Sequence, residues 1–132
     1  MTVPGRTATL VAALRTVLLA AGLSPVRLGP MLDDADRIAL TPYPLDDDMH
    51  TGTVLQAVQV HVRGQATKGV KPVFDDQDQI LEIIGNLEDV FVGGIHVTTS
   101  WRQISAPLAY DNGRPEVRDT YYLRTDRLGR AG

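Results

Sequence analysis

Ten residues constrain the fold more than any others in this chain. In Val54–Arg63, Val54, Val58, Val60 and Val62 share one face, while Leu55, Gln59, His61 and Arg63 share the other. A period of two is that of a β-strand with one buried side. A second alternation runs over Ile95–Ile104, with Ile95, Val97, Thr99 and Trp101 expected inward and His96, Thr98, Ser100 and Arg102 outward. A shorter strand is predicted at Arg37–Tyr43, with Ile38 and Leu40 on one face. Pro42 and Pro44 end it, because proline cannot donate to a ladder. The last strand is predicted at about Glu116–Arg124, with Val117, Tyr121 and Leu123 on the core face. Asp111-Asn112-Gly113 before it is a turn, since Asn and Gly accept positive φ.

Two segments carry the helical period instead. Over about Thr7–Ala21, Leu10, Val11, Leu14, Val17 and Leu18 form one stripe, with Thr7 as N-cap and Gly22 as the stop. Arg15 interrupts this run, which favours an amphipathic helix over a secretory signal. Asp75–Val90 reads as a second helix, lined by Ile80, Ile83, Ile84 and Leu87, with Asp75, Asp76 and Asp78 near its positive amino end. Gly85 inside it is expected to mark a close packing contact. Leu23–Asp36 and Gly64–Val73 read as loops.

The order is therefore α-β-β-α-β-β. The fold class expected is α+β, a single domain over residues 1–132 with one mostly antiparallel (mixed) four-stranded sheet and both helices packed on one face. The second helix is a crossover that returns the chain for a strand parallel to the second one. The core spans about residues 7–124, and a basic tail over 125–132 is expected to fray. At 132 residues, 43% hydrophobic and 22% charged, the chain suits one soluble domain. The longest stretch free of charged residues, Met49–Val62, has 14 residues, too few to span a bilayer as a helix.

The sequence shows no catalytic signature. The absence of cysteine excludes disulfides, thiolate zinc sites and cysteine nucleophiles. No serine has a nucleophile-elbow context, and Gly93-Gly94 follows a helix rather than opening one, so no phosphate loop or dinucleotide fingerprint is present. Asp46, Asp47 and Asp48 with His50 are ligand types for a divalent cation, which would suit a small metal-dependent enzyme, but their spacing is not that of an EF-hand. His61 and His96 would share the outward sheet face near Arg63 and Arg102 if their strands were neighbours, with no third ligand by spacing. No cofactor or metal site is expected.

Charge is more informative. Eleven arginines stand against two lysines, and Arg63, Arg102, Arg114, Arg118, Arg124, Arg127 and Arg130 load the later strands and tail, while residues 31–50 hold six acids and one base. Separated fields of opposite sign attract neighbouring copies head to tail, an arrangement that closes into a ring if the rotation permits. A net charge of −3 argues against general nucleic-acid affinity.

The strand "GTVLQAVQVHVRG", an acid-rich helix and then "GGIHVTTSWRQISAPLAYDNGRPEVRDTYYLR" together resemble the tail terminator or minor capsid proteins of long-tailed bacteriophages. The positions that carry the resemblance are Val60, Arg63 and Gly64, then Arg102, Pro107, Asp111, Gly113 and Arg114, then Asp119 and Tyr121, within about residues 37–124. The resemblance implies a structural, non-enzymatic virion protein at the tail–neck junction, made in the host cytoplasm. It would form a hexameric ring that caps the tail tube, stops its polymerisation and joins it to the head. Its partners would be other copies of itself, the tail tube protein and neck or head-completion proteins. Genomic DNA would pass through the ring without sequence-specific binding, and no membrane would be involved. A neck or head-completion role in the same virion is the alternative it leaves open. Arg63, Arg102, Arg114, Arg118 and Arg124, with His61, His96 and Asp46–Asp48, are the candidate interface residues.

Overall fold

The computed structural model describes residues 6–32, 37–43, 45 and 53–126. It is α+β, with α1 (Arg6–Ala20), β1 (Val26–Leu28), β2 (Ile38–Tyr43), β3 (Thr53–Arg63), α2 (Lys71–Ile84), β4 (Glu88–Val92), β5 (Ile95–Ser105), β6 (Ala109–Asp111) and β7 (Arg114–Asp126). The sheet has seven strands rather than four, in the order β1-β2-β3-β7-β5-β4, with β6 on β7. Among the described residues only β1 and β2 are parallel neighbours.

The long alternating strand forms as expected. β3 pairs along its whole length with β7, and its outer half pairs with β2. Val58, Val60 and Val62 are buried on the helix side. The inward Gln56 is also buried, and it is satisfied as a buried amide must be. It accepts from Thr7 Oγ1 at 2.5 Å and donates to Thr125 Oγ1 at 2.9 Å. Two expectations are corrected by this chain of bonds. Thr7 lies inside α1 with its hydroxyl turned to Gln56 instead of capping the helix. Thr125, expected in a frayed tail, is a fully buried residue of β7. Residues 127–132, with Arg127 and Arg130, lie outside the described residues.

α1 buries Leu10, Val11, Leu14 and Leu18, while Val17 stays 37% exposed at the margin of the stripe. Gly22, at φ +91°, ends the helix. Its amide donates to Leu19 O and that of Leu23 to Leu18 O, closing the last turn in the way a left-handed glycine permits. Arg15 Nε donates to Val26 O at 2.6 Å. That bond ties the helix to β1, three residues within the segment expected to be loop. β1 ends opposite Leu40, so Pro42 lies on a stretch of β2 whose outer edge needs no amide donor.

The second helix is displaced from its predicted range. It starts at Lys71 with Pro72 in its first turn, where a missing N–H costs nothing. It stops at Ile84, with Gly85 as its cap. Asp75, Asp76 and Asp78 therefore lie beyond the first residues of the helix, and Asp76 is buried. Gly85 does mark a close contact: a Cβ there would stand 2.7 Å from Leu81 O and 3.1 Å from Tyr121 Cε2. Glu88–Val92, whose first three residues were expected at the end of the second helix, is β4, joined to β5 by Gly93 and Gly94, both at positive φ.

The crossover expectation holds in direction only. β3 and β5 run the same way, but β7 inserts between them, antiparallel to both. β5 and β6 lie in line along the other edge of β7, and Ala106 N donates to Arg118 O at 2.8 Å across the break. Asn112 and Gly113, at φ +50° and +76°, make the tight turn between β6 and β7. Both helices share one face. α2 packs on β3, β7 and β5, while α1 packs on β1, β2 and β3 and also reaches β4. Since β1 and β4 are the two ends of the sheet, the sheet curls around α1.

Candidate subunit interface

The face of the sheet away from the helices carries no covering layer among the described residues. Register defines its rows: His61 beside Arg118, Ala57 beside Tyr122 and Trp101, Leu55 beside Arg124 and Thr99. Trp101 and Tyr122 pack as a tilted pair with centroids 5.8 Å apart. Trp101 is thus outward, opposite to expectation. An irregularity in the β5–β7 register between Val97 and Thr99 inverts the alternation, so Ser100 turns inward to accept from Leu87 N and donate to Ile84 O. The same inversion takes Arg102 off the open face. Its Nη1 lies 3.5 Å from Asp119 Oδ2, and Asp119 also accepts from Ser105 Oγ and from Gln77 Nε2 of α2.

The two histidines do not meet. β7 separates their strands, and they stand beside opposite ends of it: His61 opposite Arg118, and His96 next to Val97, which pairs Thr125. Seven residues of strand put them on the order of 23 Å apart. His61 Nε2 lies 2.9 Å from Glu116 Oε2, with Arg118 Nη2 3.4 Å from the other carboxylate oxygen. Burial holds the His61 pKa below its usual value despite Glu116, and the charges of Arg118 and Arg63 act in the same direction as burial. His96 bridges Asp89 at 2.5 Å and Asp126 at 3.0 Å, and these two hydrogen bonds raise its pKa.

A side-chain NMR titration of the histidines is expected to give a midpoint below 6.5 for His61 and above 6.5 for His96. Linkage gives the two opposite signs. Protonation of the unfolded state makes the His61 contribution decline as pH falls through 6.5. The His96 contribution is full below 6.5 and is lost as pH rises through its folded pKa. Coincident midpoints would disprove both environments.

Arg114 and Arg63 belong to a different feature, a cleft of about 450 Å³ lined among others by Ser24, Arg37, Arg63, Lys68, Asp76 and Arg114. Arg37 grips Asp76 with Nε at 2.7 Å and Nη2 at 2.5 Å, and Nη1 donates to Ser24 O. Asp76 strengthens the positive form of Arg37, whose pKa is raised. Arg114 Nε donates to Gly64 O at 2.7 Å, and Arg63 Nη1 stands 3.9 Å from Asp111 Oδ2 at the rim. Sequence reasoning did not single out Arg37 or Lys68. One precedes a strand and the other sits in a loop, and no local period connects them. Asp46, Asp47, Asp48 and His50 lie outside the described residues. Among the described residues no group of three His, Cys, Asp or Glu side chains could hold a metal ion, and no helix is long and apolar enough to cross a membrane.

The sheet edge at β4 carries exposed apolar groups, Val90 and the 73% exposed Phe91, whose ring lies 5.0 Å from that of His96. An edge strand presents unpaired backbone groups, and exposed apolar side chains beside them favour association.

No family model and no curated protein matches the chain. Among solved structures, a chain from the virion of a native gene transfer agent particle is similar in fold. Its TM-score is 0.61 over 92% of this chain and 94% of that one, at 14% sequence identity. The fold of this chain is therefore one that a gene transfer agent virion also contains.

Proposed function

We propose that the chain is a structural protein of a phage-like virion, and specifically a tail terminator. The observation that carries this reading is the similarity to a gene transfer agent virion chain across nearly the full length of both chains. It agrees with the sequence resemblance to tail terminators, which rests on different evidence. The open sheet face and the cationic cleft are surfaces that copies of the chain and neighbouring virion proteins would cover. The working form is a ring, hexameric as in the family it resembles, seated at the tail–neck junction. It contacts the tail tube below and neck proteins above, with DNA passing through.

Mixing the purified protein with tail-tube protein from the same genome and imaging by cryo-electron microscopy tests the reading. The expected result is a ring at one end of each tube and tubes that no longer elongate. Unchanged elongation with no bound density would overturn the terminator role and direct the next mixture to portal and adaptor proteins.

A further inference from the structure

We propose that the unassembled chain pairs with a second copy of itself through the stepped edge of its sheet, β4 of each copy docking along the open half of the other's β5. The inference goes beyond the virion reading and does not rest on it.

The step follows from unequal strand lengths. β5 has eleven residues and β4 only five. β4 pairs the stretch Ile95–Thr99, and the last backbone bond on that side is Ser100 N to Leu87 O. Beyond it, Trp101–Ser105 pair β7 on one side and, among the described residues, no strand on the other. Because Ser100 N points to the outer side, the period of two turns the N–H and C=O of Arg102 outward as well. The irregularity between Arg102 and Ile104 bends this edge without covering it. The open half of β5 is five residues long, the length of β4, whose own outer edge has no strand neighbour among the described residues. Neither segment holds a proline or a lysine, residues that commonly blunt an open edge. Both instead expose apolar groups, Val90 and Phe91 on β4 and the 56% exposed Ile104 on β5.

Charge and hydrophobicity decide the direction in which the two segments meet. From amino to carboxyl end, β4 runs Glu88, Asp89, Val90, Phe91, acids before apolar residues. The open half of β5 runs Arg102, Gln103, Ile104, a base before an apolar residue. Parallel alignment sets the acids of one copy against Arg102 of the other and Phe91 against Ile104. Antiparallel alignment sets the acids against Ile104. Arg102 has Nη1 3.5 Å from Asp119 and still exposes 31% of its side chain, so a carboxylate of the second copy can reach its guanidinium. Phe91 pairs the outward His96, and Ile104 pairs Thr120, which alternates with the inward Asp119 and Tyr121. Phe91 and Ile104 therefore lie on the same face of the sheet.

Parallel alignment also fixes the symmetry. β4 is antiparallel to β5 in its own copy. A β4 parallel to the other copy's β5 thus makes the two β5 strands antiparallel and leaves the helices of both copies on one face. This is a two-fold axis perpendicular to the sheet. Under it each β4 docks on the other's open half, so both steps are filled at once in an isologous pair. Antiparallel alignment would turn the second copy's faces over and generate an open filament instead. A ring between tube and neck is polar and has no such axis, so in the ring reading the pair is a form that parts before assembly.

The chain has no cysteine of its own, so introduced thiols report the contact. Full-length Val90→Cys/Gln103→Cys, confirmed folded by circular dichroism, is treated in dilute solution with a short bismaleimide. Val90 pairs Val97, six strand residues from Gln103, on the order of 20 Å, and the reagent is chosen too short to join them within one chain. The expected product is a covalent dimer that grows no further, in severalfold higher yield than from either single variant. A ladder of larger covalent oligomers would overturn the proposal by showing head-to-tail contact, and so would a dimer yield no higher than that of the single variants. Sedimentation of the unmodified chain is expected to show a monomer–dimer equilibrium that Phe91→Lys weakens about tenfold by charging the edge. Monomer at every concentration, or an equilibrium that Phe91→Lys leaves unchanged, would also refute it. Tube capping is scored separately and stands or falls without either result.

Discussion

Tyr121→Ala is expected to destabilise the protein by about 3–5 kcal/mol, the range for truncating a large buried aromatic. Tyr121 is fully buried at the middle of β7, on the side that meets the helices. Gly85, the cap of α2, leaves room for its ring: a Cβ there would stand 3.1 Å from Tyr121 Cε2. Truncation leaves a void between α2 and the central strand pair, and neither can collapse into it without breaking the β3–β7 ladder. A domain of this size has a total stability of about 5–15 kcal/mol, so a urea melt followed by circular dichroism should show the midpoint shifted by a large fraction of its value. A loss under 1 kcal/mol would mean that the contact between α2 and the sheet contributes little.

Tyr121→Phe separates the ring from its hydroxyl. The hydroxyl is buried and makes at most a weak hydrogen bond, to Arg102, so its removal is expected to cost less than about 1 kcal/mol. Burial, aided by the charge of Asp119, raises the phenol pKa. The neutral phenol is therefore favoured in the folded state, and the unfolded phenol ionises first as pH rises through about 10. Stability falls in that range because the unfolded state then binds fewer protons, and Tyr121→Phe should flatten the decline.

The second large effect is expected at the turn between β4 and β5. Gly93 has φ +58°, and a Cβ built there would stand 2.5 Å from the Cβ of Ala13 in α1. Gly93→Val adds about 1–2 kcal/mol of left-handed backbone strain and about 1–3 kcal/mol of overpacking. The combined loss of about 2–5 kcal/mol should appear as a lowered melting midpoint. It should also appear as earlier protease cleavage within Glu88–Ile95, because the hairpin must lift from α1 to relieve the clash. Ala13→Gly in the same chain removes the steric part and not the backbone part. Ala13→Gly itself costs about 1 kcal/mol as a glycine inside α1, so the comparison is a double-mutant cycle: Gly93→Val should cost about 1–3 kcal/mol less in the Ala13→Gly background than in the unmodified chain. If the cost is the same in both backgrounds, α1 and the turn are not in contact, and the curl of the sheet around α1 is not as described.

The elements read correctly from the sequence are those whose periodicity spans at least two turns of helix or several residues of strand. α1, β3 and the core positions of β7 are recoverable because burial on one side imposes a pattern on consecutive residues. β4 was lost for the converse reason. Glu88–Val92 is an edge strand whose first four residues are exposed, so no alternation marks it, and its apolar residues extend the stripe of α2. β1 was lost because three residues cannot display a period. The facing of Trp101 and Arg102 failed at one point, the register irregularity after Val97, since a single extra residue reverses every later side chain.

The candidate site divides along the same line. Arg63 and Arg114 were named from charge and do line the cleft, whereas Arg102 was named on the same grounds and instead holds the buried Asp119 beneath α2. His61 and His96 were placed on one face correctly, but their proximity depended on strand order. Strand order is set by how β7 inserts between β3 and β5, a long-range pairing that leaves no trace in the neighbouring residues.

The sequence by itself determined the α+β class, the two helices on one side of a largely antiparallel sheet, the turn at Asn112-Gly113 and the segregation of acids from arginines. Each is written in local spacing or in composition, because burial, φ and net charge act on residues close in the chain. Tertiary structure alone decided the seven-strand order, the direction of Arg102 and the gathering of Arg37, Arg63, Lys68 and Arg114 into one cleft. Those depend on contacts between residues up to 77 positions apart. Such contacts form only because the hydrophobic faces of the helices and the central strands bury one another, and that burial brings distant cations together at the rim.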